Sequence, residues 1–314
     1  MKSALNAPHF ADEDAAFAYV EAWLWPDGPA CPHCGLVGEA TRSKGMTTRP
    51  GLWNCRPCRK PFTVRMGTVF ESSHVQMRLW LQAIYLICSS KKGISTRQLQ
   101  RTLGGSMKTA WFLGHRIRMM MDGSSGSGSI GGAGKIVEAD ETWISKSPKT
   151  RRKVGERTNT QIMSLVERGG AIRSVFLDHT NIRDVLWQNL DQNSRLYTDG
   201  AVSYKGFMPG GRHESVDHSK EEYVRKLPDG SKVHTNTLEG FFSIFKRVLI
   251  GIYQYVEQQH LDRYLAEFDF RYNYRIKMGF DDKARADRAL VGAKGKRLTY
   301  ETTRRQEALD TPPF

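Results

Sequence analysis

The sequence predicts a multidomain chain: an N-terminal zinc ribbon and a helix-turn-helix, followed by an α/β domain. Three observations carry this. Two Cys-x-x-Cys pairs lie twenty residues apart, two helical patterns flank Gly104-Gly105, and after a Gly/Ser-rich stretch the apolar spacing changes from helical to strand-like. At 314 residues the chain is long enough for two or three domains that each bury a core.

Cys31-Pro-His-Cys34 and Cys55-Arg-Pro-Cys58 have zinc-ribbon spacing. Each tight turn lets two thiolates face one ion, and four sulfurs close a tetrahedral site that leaves no position open for catalysis, so the zinc is structural. His33 is read as a solvated knuckle residue and Cys88 as a small core residue on a helix. Before the ribbon, Phe10 to Trp25 carries acids at its start and apolar residues at helical spacing, which predicts one short helix; Pro61 to Val69 alternates like a strand.

Gln76 to Ser89 has apolar residues every three or four positions. A second helix is expected from Ser95 or Thr96 to Leu103 and a third from Ser106 to Met121, with the glycine pair between them. Helix, tight turn, helix is the helix-turn-helix layout. In that layout the N-terminal side chains of the second helix reach base edges, making Ser106, Lys108 and Thr109 candidates. Arg97, Arg116 and Arg118 complete the candidate DNA-contacting set.

Charge supports a polyanion partner. From residue 41 to residue 121 there are fifteen Lys or Arg against one acid, Glu71, leaving 32 of each sign elsewhere, so one block holds the whole net charge of +14. Neutralising phosphates releases condensed counterions and favours association with double-stranded DNA. No apolar run is long enough for a membrane span, and Asp12, Glu13 and Asp14 stand where an export signal needs an apolar core. A cytoplasmic, nucleoid-associated protein with reduced cysteines is expected.

Residues 122–134 read as a flexible linker. Beyond them, Ile136 to Ile144, Ile162 to Val166 and Ile172 to Leu177 pattern as strands, Asn181 to Leu190 as a helix and Arg195 to Thr198 as a fourth strand. A polar, irregular stretch from Gly210 to His234 precedes helical patterns at Thr237 to Ile250 and Gln259 to Tyr272. Three strands, helix, strand, helices fits an α/β core of the RNase H type. The domains are therefore expected as 1–70 (helix and zinc ribbon), 71–121 (helix-turn-helix), 122–134 (linker), 135–280 (catalytic) and 281–314 (basic tail).

Acids interrupt this core. Strand alternation in Val137-Glu-Ala-Asp-Glu-Thr-Trp143 puts Glu138 and Asp140 on one face and Glu141 on the other, where a carboxylate needs a partner or a metal. Asp199 closes the fourth strand. Glu239 and Lys246, two helical turns apart, share a face of the next helix.

Together these motifs resemble the insertion-sequence transposases with an N-terminal zinc ribbon that are related to the eukaryotic Merlin elements. The resemblance spans nearly the whole chain. It rests on the CPHC and CRPC knuckles with KPFTVRMGTVFESS after them, on VEADETW, on YTDG with SYKGF, on HTNTLEGFFSIFKR and on LAEFDFRYNYR. It implies an RNase H-like DDE domain binding two divalent ions, Mg²⁺ or Mn²⁺, with Asp140 and Asp199 as the first two acids. Asn236 and Glu239 both qualify as the third, with Lys246 following; Glu239 is favoured because an anionic ligand holds Mg²⁺ better than an amide. The implied activity is nicking of element ends and joining of their 3′ ends to target DNA by a homo-oligomer on DNA. The rivals are an inactive or regulatory DNA-binding derivative and a nuclease on the same core without strand transfer. One departure stands out: Ser145-Lys146-Ser147 replaces the glycine pair and lysine of relatives.

Overall fold

The computed structural model describes residues 3–298, apart from residue 46, residues 124, 125 and 127, and residues 146–158, 178–179 and 209–210. The Ser145-Lys146-Ser147 departure and the end of the expected basic tail thus fall wholly or largely outside the described residues. The chain forms two compact units, one of residues 1–82 with 289 onward and one of residues 83–288.

In the first unit, α1 (Glu13–Leu24) is capped by Asp12, whose side chain accepts from the Ala15 amide. Glu13, in its first turn, accepts from the Met77 and Arg78 amides at 2.7 and 3.1 Å, so it closes the open start of α2 (Met77–Ser89). The ribbon is an antiparallel sheet of β1 (Ala40–Arg42), β2 (Trp53–Cys55) and β3 (Pro61–Phe62). The strand expected to Val69 stops at Phe62. Beyond it the Thr68 hydroxyl donates back to the Arg65 carbonyl at 2.7 Å, and such local side-chain bonds compete with a ladder.

The second unit begins with the end of α2, then α3 (Thr96–Leu103) and α4 (Met107–Met121). Ser95 and Ser106 accept from the Gln98 and Thr109 amides, as their capping chemistry predicts. A five-stranded sheet follows: β4 (Ile136–Ser145), β5 (Asn159–Glu167), β6 (Ile172–Phe176), β7 (Arg195–Asp199) and β8 (His213–Val216), in the order β6-β5-β4-β7-β8. β4, β5 and β6 pair antiparallel, while β7 and β8 run parallel to β4. β8 lies in the stretch read as irregular, because His213-Glu-Ser-Val216 is too polar and short to show strand alternation. β9 (Arg225–Lys226) and β10 (Lys232–Val233) form a small hairpin.

Helix α5 (Ile182–Asn189) covers one face of this sheet, burying Val137, Ala139, Met163 and Leu165 with Val185 and Leu186. α6 (Asn236–Val248) and α7 (Leu261–Asn273) cover the other, burying Ile162, Val166 and Ile172 with Leu238, Phe242, Phe245 and Leu265. The last helix is α8 (Asp282–Val291). Among the described residues no helix is long and apolar enough to cross a membrane.

The glycine-rich segment read as a linker is tied to this unit in its described residues. Ile130 is buried and hydrogen-bonds with Asn189 and Asp191, and Arg173 donates to the Gly126 and Gly128 carbonyls. Gly131, at φ +103°, has room for no side chain: a Cβ there would overlap Ser194. Composition conveys that such a segment can bend, whereas its anchorage comes from distant partners.

α7 carries polar groups inward. Asn273 donates to the Ile172 carbonyl and accepts from its amide, and Asp269 accepts from the Ser174 amide and hydroxyl, so the exposed ladder edge of β6 is closed by side chains. Glu267, fully buried, takes the Arg118 guanidinium of α4 at 2.6 Å, the Tyr253 hydroxyl at 2.7 Å and Arg271. Replacing Glu267 by Ala leaves two buried guanidinium groups uncompensated. Chemical denaturation should show a loss of about 3–5 kcal/mol; a loss below about 1 kcal/mol would mean that this network does not hold α4 to α7.

Candidate catalytic and metal-binding sites

The four cysteines meet. Each knuckle closes through a backbone bond, Gly35 N–H to Cys31 and Arg59 N–H to Cys55, and the residue after each second cysteine, Gly35 or Arg59, is left-handed. The sulfurs stand 3.7 Å apart for Cys31 and Cys58, 3.6 Å for Cys34 and Cys55, and all four lie within 4.8 Å of one another. Sulfurs about 2.3 Å from a central zinc in a tetrahedron stand about 3.8 Å apart, so the donor set fits that ion. Burial disfavours the Cys31 thiolate, but the His33 and Cys34 amides outweigh it and bring its pKa down to about 6. His33 is exposed and its Nε2 lies 3.3 Å from the Pro61 carbonyl. Cys88 is buried and its thiol is pushed up to about 12 by desolvation, which makes it inert core.

The acids are arranged by the sheet. Glu138 pairs with Tyr197 at the end of the parallel β4–β7 ladder, and Asp140 and Asp199 each follow two residues further on, close enough for the Asp199 charge to act on Asp140. Alternation turns both toward the α6 face. Glu138, fully buried on that face, accepts from the Thr237 and Leu238 amides and the Thr237 hydroxyl at 3.0, 3.3 and 2.9 Å, and takes Arg168 at 2.6 Å. It thereby pins the first turn of α6 against β4. Glu239 occupies that turn, and Thr235 Oγ1 donates to its Oε1 at 3.1 Å.

The resulting charge is crowded. Desolvation, then the neighbouring Asp199, Glu141 and Glu239, push Asp140 up to about 7 against the pull of the Glu141 amide. Glu141, on the α5 face, is also raised, first by desolvation and then by Asp199. The buried Tyr204 hydroxyl donates to it at 2.5 Å and is itself raised well above its ordinary value by burial and Glu141. Glu141, noted in the sequence only for its opposite face, and Tyr204, not singled out there, adjoin these acids. The signal was the acid directly after Asp140; nothing in the sequence pairs it with a tyrosine 63 positions on. Among the described residues, the four cysteines are the group of three or more His, Cys, Asp or Glu side chains gathered closely enough to hold one metal ion, and Asp140, Asp199 and Glu239 do not form such a group. A hard divalent cation suits an all-oxygen set and relieves its repulsion.

The remaining candidates are dispersed. Asn236 is the first, exposed residue of α6, and Lys246 is exposed two turns beyond Glu239. Arg97, Ser106, Lys108 and Thr109 are exposed on α3 and the start of α4. Arg116 and Arg118, expected among the DNA-contacting groups, are not presented to a ligand: they are 4% and 2% exposed, Arg116 over the Phe112 ring and Arg118 on Glu267. Two residues apart, they point to opposite sides of α4, and both are buried because the helix is covered all round from Leu113 to Arg118. A cavity of about 1070 Å³ lined by Arg173, Asn189, Asp262 and Asp269 opens beside β6 and α7, and none of the acids of the β4 site lines it.

Comparison with known proteins agrees with this architecture. Residues 131–273 match the ISXO2-like transposase domain and residues 11–61 match the transposase zinc-ribbon domain. In both parts the chain is similar to insertion-sequence transposases that carry an N-terminal zinc ribbon. A protein of Halobacterium salinarum, described as the uncharacterized protein in transposable element ISH50, is 26% identical over 283 residues, covering 83% of this chain and 91% of the relative.

Two outcomes follow from the geometry. Wild-type protein should hold about one zinc and Cys55→Ser almost none by metal analysis, and full retention in the variant would refute the ribbon site. In metal-free protein the raised pKa of Asp140 means that the folded state binds its proton more tightly than the unfolded chain, with its ordinary value of 3.8. The stability this contributes is present at low pH and is lost as pH climbs through about 4 to 7. Asp140→Asn should therefore flatten the decline of Tm over that range; parallel curves for both proteins would show that the charges are not crowded.

Proposed function

We propose that this transposase chain nicks the ends of its own element and joins the freed 3′ ends to target DNA, in an RNase H-like domain where Asp140, Asp199 and Glu239 hold two Mg²⁺ or Mn²⁺ ions. The observation that carries this reading is that Asp140 and Asp199 leave the β4–β7 ladder two residues beyond its last pair, Glu138 and Tyr197, while Glu138 holds the α6 turn that bears Glu239. The strand order β6-β5-β4-β7-β8 with β5 antiparallel supports the RNase H-like assignment. Bound there, the cations would supply Lewis-acid stabilisation of the attacking and leaving oxygens at the scissile phosphate.

The chain's own residues do the rest. Asp140 and Asp199 present oxygens from a rigid sheet, and Glu239 completes the set from α6. Its charge acts on Asp140, which favours it over Asn236 as the third ligand. Lys246, on the same helix face, meets a phosphate as a point charge. Tyr204 fixes Glu141 so that its charge adds to the field at Asp199. The ribbon and a helix-turn-helix of α3 and α4 bind element ends through the basic block, with Arg97, Ser106, Lys108 and Thr109 as the contacting side chains. The domain order 1–70, 71–121, 122–134, 135–280 and 281–314 belongs to this proposal. So does a homo-oligomer assembled on DNA.

Asp140→Ala and Asp199→Ala should each slow Mg²⁺-dependent nicking and strand transfer at least about a hundredfold, since several kcal/mol of transition-state stabilisation are lost. Binding to element-end duplex in a gel-shift assay should stay unchanged. Glu239→Gln should behave like them and Asn236→Ala like wild type. Retained cleavage in either aspartate variant would falsify the mechanism, and the reverse result for Glu239 and Asn236 would make the amide the third ligand.

A further inference from the structure

His218 lies outside every motif discussed so far, in the turn that follows β8. Asp217 caps this turn by accepting from the Ser219 amide, and the His218 ring lies 5.4 Å from that of Tyr223. Its Nε2 atom is buried with no hydrogen-bond partner among the described residues, and it stands 3.7 Å from Glu239 Oε1. A buried ring nitrogen facing a carboxylate at just beyond bonding distance is a donor waiting on a small movement.

The same oxygen, Oε1, already accepts from Thr235 Oγ1 at 3.1 Å. Thr235 is fully buried at the cap of α6, so that donor is fixed. Two donors converging on one oxygen would fix the plane of the carboxylate and leave Oε2 to face the acids of the sheet. Ligation by His218 itself is less suited to the site, because Mg²⁺ takes oxygen donors and dehydrates reluctantly. Neighbours that hold a ligating carboxylate in orientation govern metal affinity nearly as strongly as the ligands do.

We infer that His218 is a positioning residue for Glu239, donating from Nε2 to Oε1 alongside Thr235 so that Oε2 is presented to a divalent cation shared with Asp140. This rests on the reading of Glu239 as the third ligand. β8 and its turn, which have no catalytic side chain of their own, thus take part in the site.

The test uses the full-length protein and Mn²⁺ alone as probe, with binding read from the loss of the free-ion electron paramagnetic resonance signal. His218→Ala should weaken Mn²⁺ binding about 10- to 100-fold, with Tm in metal-free buffer and binding to end duplex unchanged. His218→Gln, which keeps an N–H donor on a shorter arm, should recover most of the affinity. Removing the second donor by Thr235→Val in the His218→Ala background should weaken it further. The inference is overturned if His218→Ala binds Mn²⁺ within twofold of wild type while Glu239→Gln does not. It is also overturned if His218→Gln is as weak as His218→Ala, since the donor would then not be what matters. If Glu239→Gln binds Mn²⁺ like wild type, the third-ligand reading falls first and takes this one with it. Should His218→Ala lose its fold, the comparison of His218→Gln with wild type decides.

Discussion

The buried carboxylate of Glu138 is the contact on which the arrangement of β4 and α6 depends. An anion in the middle of a sheet is costly unless its oxygens are engaged, and here the first-turn amides of α6, the Thr237 hydroxyl and Arg168 engage them. The helix start, with its unsatisfied N–H groups and positive dipole end, is the natural partner of such an anion. Because Glu138 sits two residues before Asp140 on the same face, whatever it grips is delivered to the neighbourhood of Asp140. Arg168 adds reach: it also donates to the Lys232 and His234 carbonyls, so the chain leading into α6 is held by the same knot. The position of the turn that bears Glu239 is thus a consequence of the hold of Glu138 on it.

A second buried polar system does comparable work on the far edge of the sheet. The LAEFDFRYNYR segment, which signals the family resemblance, reads structurally as a set of latches: Glu267 on α4, Asp269 and Asn273 on the backbone of β6, and Arg275 on the Gly170 carbonyl. Full burial pushes the Asp269 carboxyl up to about 7, although Ser174 and Arg173 pull the other way. Edge-strand groups bonded by side chains cannot recruit another strand, which keeps the open side of the sheet from pairing with a second molecule. These residues are costly to bury and valuable once buried together. That accounts for a polar motif in a helix otherwise spent on the core.

The acids of the proposed site are less well compensated: they accept single bonds from the Glu141 and Ala201 amides and the Tyr204 and Thr235 hydroxyls, and no Lys or Arg ion pair to them is found among the described residues. Asp140, Glu141, Asp199 and Glu239 repel one another, and the raised Asp140 and Glu141 record that repulsion together with their burial. A sheet that positions unpaired carboxylates side by side stores electrostatic free energy that a divalent cation releases. The zinc ribbon differs in the same terms. Its four sulfurs are already at the spacing of a closed tetrahedron, as a structural site requires, whereas the carboxylates do not form such a group among the described residues.

Much of this was legible in the chain. Cysteine spacing determined the ribbon because two tight turns that each carry a pair of thiols have few other uses. The caps Ser95 and Ser106 marked helix starts because capping is local chemistry. Asp140 and Asp199 stood out as acids at the core strands. What sequence alone did not decide concerns direction and partnership over long separations. Arg116 and Arg118 counted as basic surface, but α4 is covered all round there; β8 was too polar and short to announce itself. Glu141 meets Tyr204, and Glu239 faces His218, across loops that no periodicity spans. Local pattern specifies which elements form and which face each residue takes, because it acts over a few residues. The pairing of strands and the docking of helices choose the neighbours, and those neighbours set each group's charge and reach.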